Sequence, residues 1–304
     1  MIQTLSIAPY IRTWRRTWLL MFIVALTLMP HVISSYLIHG GLVFHHLLVF
    51  VAFSLGWELL MNAFYRKWTL LDGSALLTGV ILAFITPLNV DLVIISQLTF
   101  FAIIVAKWML GGLGLNYINP AMFALLIGLL VWPLQIEPLR AGDMSVWSGI
   151  VFTPEQSINE LAGYQLWSLG AYSSIIILAS LLILGLTGIL RWEVTISYLI
   201  SYGIFSYFFL GFDYWYESVI GVVTPMNLLI AVYIINNPSC LPSTFIGGII
   251  KGIAVALLLG ILQKQGGYTL LLVPIAVLLG DILVPIIDRY TQGRSFSKMR
   301  IGGK

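Results

Sequence analysis

Two segments rich in glycine, asparagine and small hydroxyl residues interrupt a sequence that is otherwise almost continuously apolar. They read DGSALLTG at 72–79 and GGLGLNYINPAM at 111–122. Glycines permit tight turns and let the backbone approach another chain or a flat ring closely. Asn116 and Asn119 precede Pro120, so they can cap the helix that the proline begins and leave its first amides free to receive an anion. The segments predict a ligand site or, in a plainer interpretation, turns and caps between helices.

Small polar side chains on interrupted helices form a second candidate set. Where a helix is broken inside a membrane, its freed carbonyls can coordinate Na+ together with hydroxyl and amide oxygens. Serine and threonine also serve close packing between membrane helices, which is the alternative interpretation. The candidate ion-path residues of this kind are Ser74, Thr78, Thr224 and Asn227.

Lys251 and Asp281 are charged residues inside apolar runs. At ~1.5 Å rise per residue, both are expected to lie roughly 10 Å deep on consecutive antiparallel helices. This matched depth predicts a buried ion pair. A place on a cation path is the alternative, so both residues join the ion-path candidates. Glu58 and Lys107 stand near the inner ends of their helices, where long side chains are expected to reach toward water.

The composition places these residues in a membrane protein. Of the 304 residues, 60% are hydrophobic and 9% are charged, which argues against a separate soluble domain and a nucleic-acid partner. The single cysteine, Cys240, excludes an intrachain disulfide and a four-cysteine metal centre supplied by this chain alone, and we predict no metal site. Apolar runs of roughly 20 residues can each cross a bilayer. The predicted spans are 17–38, 41–64, 74–87, 90–110, 120–136, 170–190, 194–211, 217–236, 245–263 and 268–288.

An even number of spans sorts most of the arginines and lysines to one side. The positive-inside rule makes that side cytoplasmic, so both termini are predicted to be cytoplasmic in a multi-pass protein of the inner membrane. The predicted fold is all-α and polytopic, with two five-helix blocks at 1–136 and 170–290, an external central loop at 137–169 and a basic cytoplasmic tail at 291–304. Because five is odd, related blocks would be inverted repeats, and their third helices are expected to be interrupted.

The two Gly/Asn segments resemble the signature of the Rnf complex D subunit and of the related B subunit of the Na+-translocating NADH:quinone reductase. A later segment, LLIAVYIINNPSCLPST at 228–244, is similar to a helix of that family that ends in an acidic residue and proline, here Asn237 and Pro238. The stretch GGYTLLLVPIAVLLGDILVPIID at 266–288 also fits. The resemblance therefore covers nearly the whole chain.

This resemblance implies a membrane subunit of an ion-translocating electron-transport complex that relays electrons through flavin while Na+ or H+ crosses the membrane. The chain would be part of an oxidoreductase-driven translocase rather than an enzyme alone. The implied partners are other membrane subunits and an external flavin-carrying subunit. The implied cofactors are FMN and, within the membrane, riboflavin, with Asn116 and Asn119 as candidate cofactor-binding residues.

In the family, one FMN is esterified through its phosphate to a threonine of an Asp-x-x-Ser-Gly-Ala-Thr-like motif in the external loop. The corresponding stretch here reads DMSVWSGIVFTPEQ at 143–156. Ser148 and Gly149 are present, but Ala-Thr does not follow, and Thr153 before Pro154 is the nearest match. Thr153 is thus a candidate attachment residue or a plain helix cap.

Two other functions compete with the electron relay. A stand-alone transporter or channel for a small solute could use the same scaffold, and a diverged paralogue could keep an assembly role without covalent flavin. The histidines at 31, 39, 45 and 46 invite a haem site. Their placement argues against it, because all of them lie toward the outer half of the first hairpin.

The Thr153 hypothesis predicts the mass of the purified chain. Esterified FMN will raise the intact mass by one FMN, and the adduct will map to Thr153. Intact-mass spectrometry measures this directly. An unmodified mass would rule out covalent flavin and leave Thr153 as a cap.

Overall fold

The computed structural model describes residues 17–112, 116–136, 173–209, 215–266 and 270–291. Every regular element within these ranges is helical. The external loop predicted at 137–169 and the tail predicted at 291–304 lie outside the described residues, apart from Thr291. The helices are α1 (Thr17–His39), α2 (Leu42–Tyr65), α3 (Ser74–Ile85), α4 (Leu92–Phe100), α5 (Pro120–Val131), α6 (Pro133–Ile136), α7 (Ser174–Leu186), α8 (Trp192–Phe209), α9 (Trp215–Val223), α10 (Pro225–Leu229), α11 (Phe245–Gly266) and α12 (Leu272–Thr291).

Four short turns extend or connect these helices. Wider π-helical turns continue α4 through Phe101–Trp108 and α10 through Ile230–Ile234. Turns of 3-10 helix precede α3 at Leu70–Asp72 and α11 at Pro238–Cys240. The π turns were not predicted from the sequence, and such turns are frequent at functional sites.

Three of the described helices are long and apolar enough to cross a membrane. They are Trp18–Leu37, Leu42–Tyr65 and Phe245–Gln265, judged by length and composition. Several other apolar helices are shorter, including α3, α5 and α7. The apolar helices agree with a membrane protein, because lipid is the solvent that tolerates so many exposed large apolar side chains.

The helices pack in two groups, α1 to α5 and α7 to α12, that share a pattern of neighbours. In the second group, α9 and α10 together take the place of the third helix. In the first group, α2 packs on α3 and α4, and α4 packs on α5 through its π turn. In the second group, α8 packs on α9 and α11, and α11 packs on α12. The groups meet where α1 contacts α7 and where α5 contacts α12. First helix thus meets first helix, and last helix meets last helix.

The third helix of each group is central, and neither is a single full-length helix. It is α3 in the first group and α9 with α10 in the second. Nearly every residue of α3 and of 225–234 is buried. α3 is short rather than internally broken, because Thr86 adopts an extended conformation at its end and Pro87 follows. The third helix of the second group is broken between α9 and α10 at Pro225, which has no N–H to continue the helix begun by α9.

The motif glycines make the tight turns that the sequence predicted. Gly73 has φ +76°, and Gly111 and Gly112 have φ +108° and +91°. These are left-handed conformations that favour glycine. Gly111 and Gly112 follow the end of the helix that continues α4, and Gly73 precedes α3. These turns lie at the same end of the molecule as the start of α5.

The contact between α8 and α11 depends on a glycine and can be tested there. A β-carbon at Gly252 would overlap Ser197 Oγ and would lie 2.5 Å from the Val194 carbonyl oxygen. Gly252→Ala should therefore destabilise the protein by about 1–3 kcal/mol through overpacking. The matched control is Gly56→Ala on α2, where nothing lies within 4 Å of the new methyl group. Thermal unfolding in detergent should separate the two variants, and equal midpoints would contradict this packing.

Candidate functional site

A cavity lies where the two Gly/Asn segments meet the second group of helices. The cavity has a volume of about 60 Å³, which is room for a few waters. Its walls combine side chains of α1, α3 and α7 with the start of α5 and the segment after α10. The polar lining residues are Ser74, Thr78, Lys107, Asn116, Asn119, Asn236, Asn237 and Ser239, and the apolar ones include Met21, Val24, Leu77, Ile81, Leu184, Ile189, Leu190 and Val232.

Asn119 connects the first group to the second. Its side-chain oxygen accepts from the Ala121 N–H at 3.1 Å, which confirms the predicted cap of α5. Its side-chain amide donates to the Ile234 carbonyl at 3.1 Å. Its backbone N–H donates to Asp281 Oδ2 at 3.0 Å. An amide at the start of α5 therefore receives a carboxylate, that of Asp281 on α12.

Lys251 and Asp281 form the predicted ion pair. Lys251 Nζ lies 2.8 Å from Asp281 Oδ1, and the two side chains are 0% and 1% exposed. The ammonium also donates to the Cys240 carbonyl at 2.7 Å and to the Ile235 carbonyl at 3.3 Å. The pair lies directly behind Asn119 rather than in the cavity wall. It ties α11 and α12 to the segment between α10 and α11.

Cys240 belongs to the same buried cluster. Its Sγ lies 3.9 Å from the Asn116 carbonyl. Burial raises the pKa of its thiol above the usual range, with the Asp281 carboxylate adding to the shift. The thiol therefore stays protonated and unreactive near neutral pH.

Glu58 and Lys107 form a second buried ion pair, so the expectation that they reach toward water was wrong. Lys107 Nζ lies 2.8 Å from Glu58 Oε1, and the side chains are 3% and 0% exposed. Lys107 Nζ also donates to Ser74 Oγ at 2.6 Å, and Trp108 Nε1 donates to Glu58 Oε2 at 2.9 Å. With these partners inside the protein, neither charge needs water. The signal that could have found this pair is the one used for Lys251, a matched depth on neighbouring helices.

The Lys107 pair also fixes the start of α3. Ser74 Oγ donates to Asp72 Oδ1 at 2.6 Å, and the Ser74 N–H donates to the same oxygen at 2.8 Å. Thr78 Oγ1 donates to the Ser74 carbonyl at 2.8 Å. Ser74 and Thr78 therefore lie together in the cavity wall with Lys107, within a continuous chain of hydrogen bonds.

Thr224 and Asn227 do not join the other candidates at the cavity. Thr224 Oγ1 donates to the Gly221 carbonyl at 2.9 Å, beside the break at Pro225. Asn227 accepts from Tyr198 OH at 2.5 Å and donates to the Val222 carbonyl at 3.0 Å. These bonds satisfy polar groups at the break.

The candidates for covalent flavin attachment belong to the external loop. Ser148, Gly149 and Thr153 lie outside the described residues. Among the residues that are described, no group of three His, Cys, Asp or Glu side chains is arranged to hold a metal ion.

Comparison with known proteins gives matches over nearly the whole chain. The family model described as "NQR2, RnfD, RnfE family" matches residues 4–297. The D subunit of an ion-translocating oxidoreductase complex of Pectobacterium atrosepticum is 26% identical over 345 residues, which cover 96% of this chain and 98% of that protein. The D subunit of a Na(+)-translocating ferredoxin:NAD(+) oxidoreductase complex of Acetobacterium woodii is 28% identical over 323 residues, with 98% and 96% covered.

The buried pair of Lys251 and Asp281 predicts a loss of stability when its carboxylate is removed. Asp281→Asn leaves the Lys251 charge buried without its counter-ion and should destabilise the protein by about 3–5 kcal/mol. The control is Asp91→Asn, because Asp91 is exposed and its side chain makes no capping bond. Thermal unfolding and recovery of assembled protein are the measurements. If Asp281→Asn is as stable as the wild type but impaired in ion transport, the cation-path alternative for this residue is favoured instead.

Proposed function

Because the chain belongs to the NQR2, RnfD, RnfE family, we propose that it is the D-type membrane subunit of an ion-translocating oxidoreductase complex. In that role it relays electrons through flavin while Na+ or H+ crosses the membrane. The observation that carries the proposal is the full-length family match, together with a polar cavity built from the two segments that drew attention in the sequence. Relatives that cover almost the same length bear the name of such a subunit.

The proposed membrane topology has about ten crossings in two inverted five-helix blocks, with both termini on the cytoplasmic side of the inner membrane. Its support is the repeated packing pattern, in which α1 contacts α7 and α5 contacts α12. A broken helix at the interface of inverted blocks is the usual setting of a midplane site in transporters. The short α3 and the break at Pro225 are such features.

The proposed non-covalent flavin site is the cavity that holds Asn116 and Asn119. Its residues fit a flavin chemically, since apolar side chains such as Leu77 and Ile81 can cover ring faces and the asparagine amides can bond the polar ring edge. The present space suits a few waters, so lining side chains must move apart to admit a ring. A bound flavin supplies the one- and two-electron chemistry that side chains lack.

The chain's own contribution is to orient the ring and balance its charge. Lys107 is part of the cavity wall, and its pair with Glu58 holds its side chain in place. If a flavin were bound in the cavity, the Lys107 ammonium would favour added negative charge on it. Ser74 Oγ already accepts from Lys107, so Thr78 in the same wall is the residue that offers a hydroxyl oxygen to a cation, which would bring the electron carrier and the ion close together.

Covalent FMN at Thr153, with Ser148 and Gly149 beside it, remains part of the proposal and belongs to the external loop. The proposed partners are the other membrane subunits and an external flavin-carrying subunit. A stand-alone solute transporter is not favoured, because the relatives are named as subunits of oxidoreductase complexes. The diverged paralogue differs from the main proposal in its flavin content.

The cavity assignment predicts the effect of filling it. Leu77→Trp should abolish the flavin that is released when the folded protein is denatured, because the indole occupies the space for the ring. Leu48→Trp on the exposed side of α2, where Leu48 is 65% exposed, is the matched control and should keep its flavin. Fluorescence of the released flavin per mole of chain is the measurement.

The covalent adduct at Thr153 should not change in either variant. Non-covalent flavin that survives in folded Leu77→Trp would move the site elsewhere. Wild-type protein that is folded and assembled but carries no flavin of either kind would contradict the proposed function.

A further inference from the structure

Beyond the central cavity, α1 and α3 continue in contact with each other. The two helices lie side by side, because a β-carbon at Gly73 would lie 3.1 Å from Met21 Cβ and the Phe84 ring centre lies 6.0 Å from that of His31. Val24 on α1 and Ile81 on α3 line the cavity between these two levels. The α1–α3 contact therefore runs from the cavity wall to His31.

Three polar residues lie on one face of α1 along this contact. Thr27, His31 and Ser35 are spaced by four residues, which places them on one face of a helix. All are buried, with 7%, 0% and 1% of their surface exposed. At ~1.5 Å rise per residue they span roughly 12 Å of the helix axis. Pro30 lies among them and removes one helical N–H, which frees a carbonyl on the preceding turn.

The inner end of this face is bonded to the cavity wall. Tyr233 lines the cavity and its OH donates to Thr27 Oγ1 at 3.1 Å. Ser180 Oγ on α7 donates to the Thr27 carbonyl at 3.0 Å. The polar face of α1 thus joins the cavity without an apolar gap at Thr27.

The outer part of the face has polar atoms without partners. His31 Nδ1, His31 Nε2 and Ser35 Oγ are buried and make no hydrogen bond to any described residue. Buried polar atoms in native proteins bond to protein or to ordered water. Burial alone does not leave a histidine without hydrogen bonds, because the buried His46 has its Nε2 3.2 Å from the Ala83 carbonyl. Water is the partner that fits the unsatisfied atoms.

We propose that this face of α1 is a hydrated route for protons between the central cavity and the outer side of the membrane, with His31 as the group that carries the proton. A neutral imidazole accepts a proton at one nitrogen from a hydronium ion, which becomes water, and releases the proton of the other nitrogen to the next water, which becomes hydronium. Only N–H and O–H bonds form and break, in equal number, and no oxidant or reductant is needed. The inference rests on the proposed function, in which the complex moves an ion.

Hydration is tested first, by cysteine accessibility in the intact complex in proteoliposomes. Ser35→Cys, in a Cys240→Ala background, should react with a small impermeant cationic methanethiosulfonate from the outer side about tenfold faster than Ile33→Cys, because the reactive thiolate forms only in water. Ile33 is the matched control on the lipid-exposed side of α1, 59% exposed. Equal or slower reaction of Ser35→Cys would overturn the hydrated route.

Proton carriage is tested by electron-transport-driven acidification of the same liposomes, read with an entrapped pH dye, with Na+ uptake and electron flux recorded in parallel. His31→Leu should lower protons moved per electron about tenfold, while the exposed His45→Leu should match the wild type. Ser35→Ala, a milder change, should show a partial loss and covers the case in which His31→Leu does not assemble. Wild-type protein that moves Na+ but no protons, or unchanged proton yield in the assembled variants, would overturn the role of His31. Absence of any ion movement in the electron-transferring wild type would instead overturn the proposed function.

Discussion

A charge buried in an apolar protein must have its counter-ion and its hydrogen bonds beside it, and this constraint organises the centre of the molecule. Asp281 satisfies it by forming an ion pair with Lys251 and accepting a hydrogen bond from the backbone N–H of Asn119, so one carboxylate joins α11, α12 and the start of α5. Glu58 satisfies it by bonding Lys107, which in turn bonds Ser74 at the start of α3. The two clusters fix both Gly/Asn segments, and the cavity lies between them.

The helix interruptions also bring polar groups into the apolar interior together with their hydrogen-bond partners. Gly73 turns the chain into α3, and Gly111 ends the helix that continues α4. The break at Pro225 frees backbone carbonyls, which Thr224 and Asn227 satisfy locally. Irregular backbone at membrane depth is tolerated where protein or a polar cavity covers it. The interruptions and the buried charges therefore account for a polar cavity inside an apolar helical protein.

The sequence predicted those features that follow from position along a helix. The depth of Lys251 and Asp281 predicted their pairing, and the Asn-Pro spacing predicted the cap by Asn119. Depth pairs residues only once two helices are known to be neighbours, so Glu58 and Lys107, on helices that are not consecutive, were expected at the interface with water. Thr224 and Asn227 were grouped with Ser74 and Thr78 because both pairs lie on interrupted helices. His31 was considered as a haem ligand, whereas its lack of partners depends on the surroundings contributed by α3. The π turns had no evident signal in the sequence.

The most direct test of this account is a cryo-EM map of the intact complex in lipid nanodiscs, with side chains visible around the cavity. The account predicts density joining Asp281 to Lys251 and Glu58 to Lys107, with a planar ligand between them that contacts Asn116 or Asn119. A cavity filled by collapsed side chains or a lipid chain, with either charged pair separated, would contradict it.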